Sequence, residues 1–156
     1  MTDLRQVFDD LVRFETILWG AIDGRLQKEC GVGLASLNGM LVIDAIPLCR
    51  VHDIAQAVAI TVGGASQAVD RLESAGLCIR RANPSDRRSS IVELTPKGTE
   101  LLGIAAPVFD SELDRLLRAP LPGAALTHLA DALSALRQSA DTREVSPRAG
   151  GASKRT

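Results

Sequence analysis

Apolar positions recur through residues 3–29 at alternating intervals of three and four: Leu4, Val7, Leu11, Phe14, Leu18 and Ala21/Ile22. The spacing predicts one long helix with a narrow apolar seam. At about 1.5 Å per residue such a rod is about 40 Å long, more than a small domain covers, so the seam implies a partner helix. Gly31 and Gly33 end the pattern, and Leu34–Ile46 reads as a second, strongly apolar helix stopped near Pro47. Val51–Ala59 is a short third helix with Ile54, Ala55 and Val58 inward. In the fourth, residues 62–75, Thr61 can cap the start, and Ala65, Val69 and Leu72 face the core. Gly76 occupies the left-handed position after its end, and Leu77 folds back onto Leu72.

The period then changes. Cys78–Ala82 and Ser90–Leu94 read as short strands, and the turn formers of Asn83-Pro84-Ser85-Asp86 make the intervening loop a hairpin tip. Thr95-Pro96 opens a further helix to about Arg118, with Leu101, Ile104, Val108, Phe109, Leu113 and Leu116 inward and a kink expected at Pro107. After Pro120-Leu121-Pro122 a last helix aligns Leu126, Leu129, Leu133 and Leu136 on one seam. The expected class is mainly α with a small β-hairpin wing: residues 1–46 and 99–141 form a helical dimerisation region and residues 47–98 a winged helix-turn-helix. Residues 142–156, basic and nearly free of apolar groups, read as a disordered tail.

Charge sharpens this division. The chain of 156 residues has a net charge of −1, yet residues 50–98 carry +2 and residues 143–156 carry +3, while 1–49 and 99–142 are each −3. A phosphate backbone responds to such a local patch rather than to the total. The fourth helix leads with Gly63, Gly64 and Ala65, which present almost no bulk to a groove. Behind them stand Ser66, a donor to phosphate or base, Gln67, long enough for a bidentate contact with adenine, and Arg71, one turn further on. At the hairpin tip Arg87 and Arg88 can enter a minor groove, and Arg50 can add a phosphate contact. Thr61 completes this group of candidate DNA-binding residues.

Residues 54–98 also resemble the DNA-binding core of the MarR (multiple antibiotic resistance regulator) family. The resemblance rests on Asp86-Arg87-Arg88-Ser89-Ser90-Ile91-Val92-Glu93-Leu94-Thr95, on Asp70-Arg71-Leu72-Glu73-Ser74-Ala75-Gly76-Leu77 and on Thr95-Pro96-Lys97-Gly98. The order of the flanking helices extends it across about residues 3–140. It implies a homodimer, double-stranded DNA as partner, Arg88 in the minor groove with Asp86 orienting it, and Ser66, Gln67 and Arg71 in the major groove. Many members carry Arg where this chain has Gln67, which shifts readout away from guanine. The resemblance further implies a pocket for a small aromatic or other apolar effector, with Phe14, Trp19 and residues of the second helix as candidate lining.

Other chemistries find less support. Two histidines, His52 and His128, fall on separate helices, with no nucleophile set or phosphate loop, so no catalytic residue and no cofactor is assigned. Cys49, His52 and Asp53 lack a second ligand pair, so no metal is assigned. Cys49 and Cys78 read as small buried residues. Cys30, at the far end of the first helix in a chain without Tyr, is a weak candidate for a thiol-based sensor. No segment reads as a secretory signal or a membrane span, and a cytoplasmic location is expected. The expected function is a dimeric repressor that reads a palindromic operator and responds to a ligand. The alternatives are a winged-helix module that binds protein instead of DNA, and a redox-sensing regulator.

Overall fold

The computed structural model describes residues 1–145 and contains, in order, α1 (Leu4–Cys30), α2 (Leu34–Ala45), α3 (Val51–Ala57), α4 (Val62–Ser74), β1 (Cys78–Ala82), β2 (Ser90–Leu94), α5 (Pro96–Leu113) and α6 (Gly123–Val145). The chain divides into two compact units, the first Met1–Leu113 and the second beginning at Asp114.

Each helix of the first unit starts where the sequence offers a partner for orphaned backbone N–H groups. Asp3 Oδ1 accepts from Arg5 N at the head of α1. Asp23, in the middle of α1, accepts from Leu34 N at 2.8 Å and so caps α2 from a neighbouring helix. The carboxylate of Asp53 accepts from Arg50 N at 2.8 Å and closes the first turn of α3. Between α3 and α4, Ala59 takes a left-handed φ of 54°, which lets Ile60 N reach Ala55 O at 3.0 Å.

The core lies where α1, α2, α3, α4, α5 and β2 meet. Leu26, Leu37, Met40, Ile54, Val69 and Val92 are all but inaccessible to solvent. The hairpin pairs β1 with β2 in antiparallel register, Cys78 opposite Leu94 and Ala82 opposite Ser90. A third extended segment joins it: Val92 N donates to Cys49 O at 2.7 Å and Arg50 bridges to Ile91. The wing is thereby tied to the residues that open α3.

Three expectations are corrected. Helix α5 runs without interruption through Pro107, and the irregularity comes later, in the widened π turn Asp114–Arg118. Its buried face is Gly98, Leu102, Ala105 and Glu112, so Ile104, expected inward, is 55% exposed. The apolar spacing of α5 fits two faces, and the core takes the one on which small Ala105 permits close packing. Helix α6 continues to Val145, four residues into the stretch read as a disordered tail. The remainder of that tail, 146–156, lies outside the described residues.

Candidate nucleic-acid interface

Helix α4 is held at both ends by its own sequence. Thr61 Oγ1 accepts from Gly64 N at 3.0 Å. At the other end Gly76 adopts φ 73° and Leu77 N donates to Leu72 O at 2.9 Å. Ala65, Val69 and Leu72 are buried as expected. Gly63, Gln67 and Arg71, four residues apart, therefore fall on the solvent side and all three are exposed. A Cβ at Gly63 would meet nothing within 4 Å, so the chain's own packing does not require glycine there. At Gly64 it would lie 3.2 Å from Thr61 Oγ1, so the small residue serves the cap.

Ser66 stands differently from Gln67. It is half-buried against the hairpin, where Arg80 donates to its carbonyl at 3.2 Å and approaches Oγ at 3.4 Å. The same guanidinium pairs with Asp70 at 2.7 Å and Glu73 at 3.0 Å. Sequence reasoning passed over Arg80, although alternation along β1 puts it on the same face as buried Cys78, toward α4. That alternation was the available signal.

The hairpin tip is built from short side-chain to backbone bonds. Asn83 Oδ1 accepts from Ser85 N at 3.0 Å, and Asn83 Nδ2 donates to Ser89 Oγ at 2.9 Å. Asp86 Oδ1 accepts from Arg88 N at 2.9 Å. The contact with Arg88 is thus to its backbone, and Asp86 shapes the turn instead of gripping the guanidinium. Arg87 and Arg88 are exposed.

The six arginines between residues 50 and 98 sort into two groups. Arg50 is bound to Asp53, at 3.1 and 3.2 Å, Arg80 to Asp70 and Glu73, and Arg81 to Glu93 at 2.7 Å. Arg71, Arg87 and Arg88 have no carboxylate partner among the described residues. Arg50, expected among the groups that face a polyanion, is committed to Asp53, whose carboxyl it holds below the usual range.

Residues 36–90, spanning α2 through the hairpin tip, match the MarR family model. The chain is 34% identical over 92 residues to the HTH-type transcriptional regulator BilQ of Clostridium symbiosum (strain WAL-14163), covering 59% of this chain and 63% of that one. Its segment from α2 to the hairpin tip is thus similar to the MarR family. Its fold is similar to that of Sco3205, a MarR family regulator from Streptomyces coelicolor solved in complex with DNA, with a TM-score of 0.82, 24% identity and 86% of each chain covered. It is also similar to BpsR of Bordetella bronchiseptica, described with regulation of its DNA binding by 6-hydroxynicotinic acid, at a TM-score of 0.76, 20% identity and coverage of 85% of this chain and 98% of that one. The aligned stretch spans a little under two thirds of the length of BilQ.

The remaining candidates occupy other places. Trp19 borders an open surface groove with Glu15, Thr16 and Gly20, all on α1. Phe14 and the residues of α2, expected beside Trp19, do not line it, because α1 turns Phe14 onto another face. Cys49 and Cys78 are buried as expected, and burial pushes both thiols up to about 11, with nearby Asp53 and Glu73 adding to the effect. Cys30 is half-buried at the end of α1. Among the described residues no three metal-ligating side chains converge, and no helix is long and apolar enough to cross a membrane.

Proposed function

We infer that the chain is a dimeric, sequence-specific DNA-binding transcription regulator, a repressor whose operator affinity is set by a small ligand. The carrying observation is the sorting of arginines in the winged unit: those on structural faces are paired with carboxylates, and Arg71, Arg87 and Arg88 are left to solvent. In this reading α4 enters the major groove. Gly63 and Gly64 allow close approach, Thr61 holds the leading turn, Gln67 reads adenine and Arg71 takes guanine or phosphate. Ser66 contributes only the proton of a hydroxyl whose acceptor side faces Arg80. Arg87 and Arg88 enter the adjacent minor groove from a tip shaped by Asp86.

A second copy is the partner that the outer helices call for. Leu4, Phe8 and Ile17 of α1 are 78%, 68% and 61% exposed, and Leu129, Leu133 and Leu136 of α6 are exposed too. Apolar surface of this extent is covered by association in water. Two-fold pairing would set the recognition helices about 34 Å apart and ask for an imperfect palindrome. The effector is a small aromatic or otherwise apolar molecule, in line with the ligand named for BpsR, with Trp19 as its candidate contact. The protein works in the cytoplasm as a regulator and not as an enzyme.

The test is Arg88→Ala, assayed on a duplex selected from a random-sequence pool by the unaltered protein. Affinity is expected to fall by about 1–3 kcal/mol and the logarithmic salt slope by about 1. An unchanged affinity rejects the reading in favour of a protein-binding module.

A further inference from the structure

We propose that Arg80 governs DNA affinity without touching DNA, by holding the carboxylates of Asp70 and Glu73 against the hairpin and away from the phosphates that flank α4. The inference rests on the reading of α4 as the helix that enters the groove. Asp70 directly precedes Arg71, and Glu73 lies on the next turn, so two negative charges sit on a helix meant to approach a polyanion. Both remain partly accessible, with 62% and 43% of their side-chain surface open. Unopposed, they would repel the backbone on either side of the groove.

Arg80 answers both at once. Its Nη2 lies 2.7 Å from Asp70 Oδ1 and its Nη1 3.0 Å from Glu73 Oε2, while Nη2 also donates to Ser66 O at 3.2 Å. The three acceptors, at positions 66, 70 and 73, follow one stripe along the helix, and a planar fork reaches them where a point charge on a lysine stem would serve one at a time. Only 25% of the Arg80 side chain is accessible, so its charge is spent inward, unlike that of Arg71, Arg87 and Arg88. The carboxylates are drawn toward β1, and the face carrying Gln67 and Arg71 is left electrostatically clear.

The experiment uses the full-length protein and the duplex it selects from a random-sequence pool. Arg80→Ala is expected to weaken binding about tenfold or more at low salt, with the deficit shrinking as salt rises to about 0.3 M, because the exposed charges are then screened. Adding Asp70→Asn and Glu73→Gln to that variant removes the repulsion and is expected to restore affinity to within about threefold of the original protein. A triple variant that stays as weak as Arg80→Ala overturns the proposal, since it would mean that Arg80 contacts DNA or sets the helix angle. So does an Arg80→Ala protein that binds normally, or one whose deficit is independent of salt. Should Arg80→Ala fail to fold, by circular dichroism, the triple variant is compared directly with the original protein, and a loss above about tenfold is the overturning result. A protein that selects no duplex at all rejects the DNA-binding reading first and this inference with it.

Discussion

At the scale of single residues, function and stability ask for different side chains at the same place. Gly63 sits in a helix where a methyl group would meet nothing within 4 Å. Gly63→Ala is therefore expected to raise stability by up to about 1 kcal/mol, the helix-propensity gain, in urea unfolding. The same change is expected to weaken duplex binding, because the methyl enters the gap between helix and base edges. A variant that gains stability and keeps full affinity would show that the leading turn does not approach the bases. The buried thiols give a second residue-scale test. Folded Cys49 and Cys78 titrate near 11, against an ordinary value of 9.0. Below about pH 9 both are neutral in either state and stability is flat; above it the unfolded chain releases protons that the fold retains. Stability is thus expected to fall between about pH 9 and 11, and less steeply in Cys49→Ala and Cys78→Ala variants. At pH 8 a thiol reagent should leave both unmodified until the protein is denatured. Rapid labelling of either in the folded protein would contradict their burial.

At the scale of elements, one four-residue stretch joins α4, the hairpin and α5. Thr95 Oγ1 donates to Gly76 O at 2.6 Å and accepts from Gly98 N at 3.0 Å, Lys97 Nζ donates to Ala75 O at 2.8 Å, and Thr95 N donates to Leu77 O at 3.0 Å. The orphaned carbonyls at the end of α4 are satisfied by the residues that open α5. A Cβ on Gly98 would fall 2.0 Å from Leu77 O, a clash with backbone that no rotamer relieves. Gly98→Ala is expected to cost at least about 3 kcal/mol in denaturant unfolding, against a helix-propensity gain for Gly103→Ala, where a Cβ meets nothing. A mild Gly98→Ala would mean that α5 shifts away from the hairpin without loss. The cap function of Thr95-Pro96 was legible in sequence, because capping is a local matter of residue type and position. The role of Gly98 was not, since the atom it must avoid lies 21 residues earlier in the chain.

At the scale of the whole molecule, what is missing from a single chain is cover for its apolar surface. Leu11, 49% exposed on the α1 seam, is the place to test it. Leu11→Glu is expected to yield a monomer by sedimentation and to remove the concentration dependence of Tm. Operator affinity should fall steeply as the two half-sites are no longer bound by one particle. A dimer that survives the change would place the subunit contact elsewhere.

Sequence alone determined the order of elements, the capped limits of α4 and the two strands with their tip, because periodicity, caps and turn residues act over a few positions. It also offered Arg50, Arg71, Arg87 and Arg88 as candidates to meet a polyanion, without separating those that are paired from those that are not. Only the tertiary structure decided which charges are already spoken for. Alternation along β1 puts Arg80 on the inner face, but only the fold shows that it meets Asp70 and Glu73 across the gap between strand and helix, and that Arg50 is bound to Asp53. It also chose Leu102 over Ile104 for the core, and it tied Ser66 to the hairpin. Pairing and burial depend on what the rest of the chain brings within a few ångströms, and a one-dimensional pattern does not carry that distance.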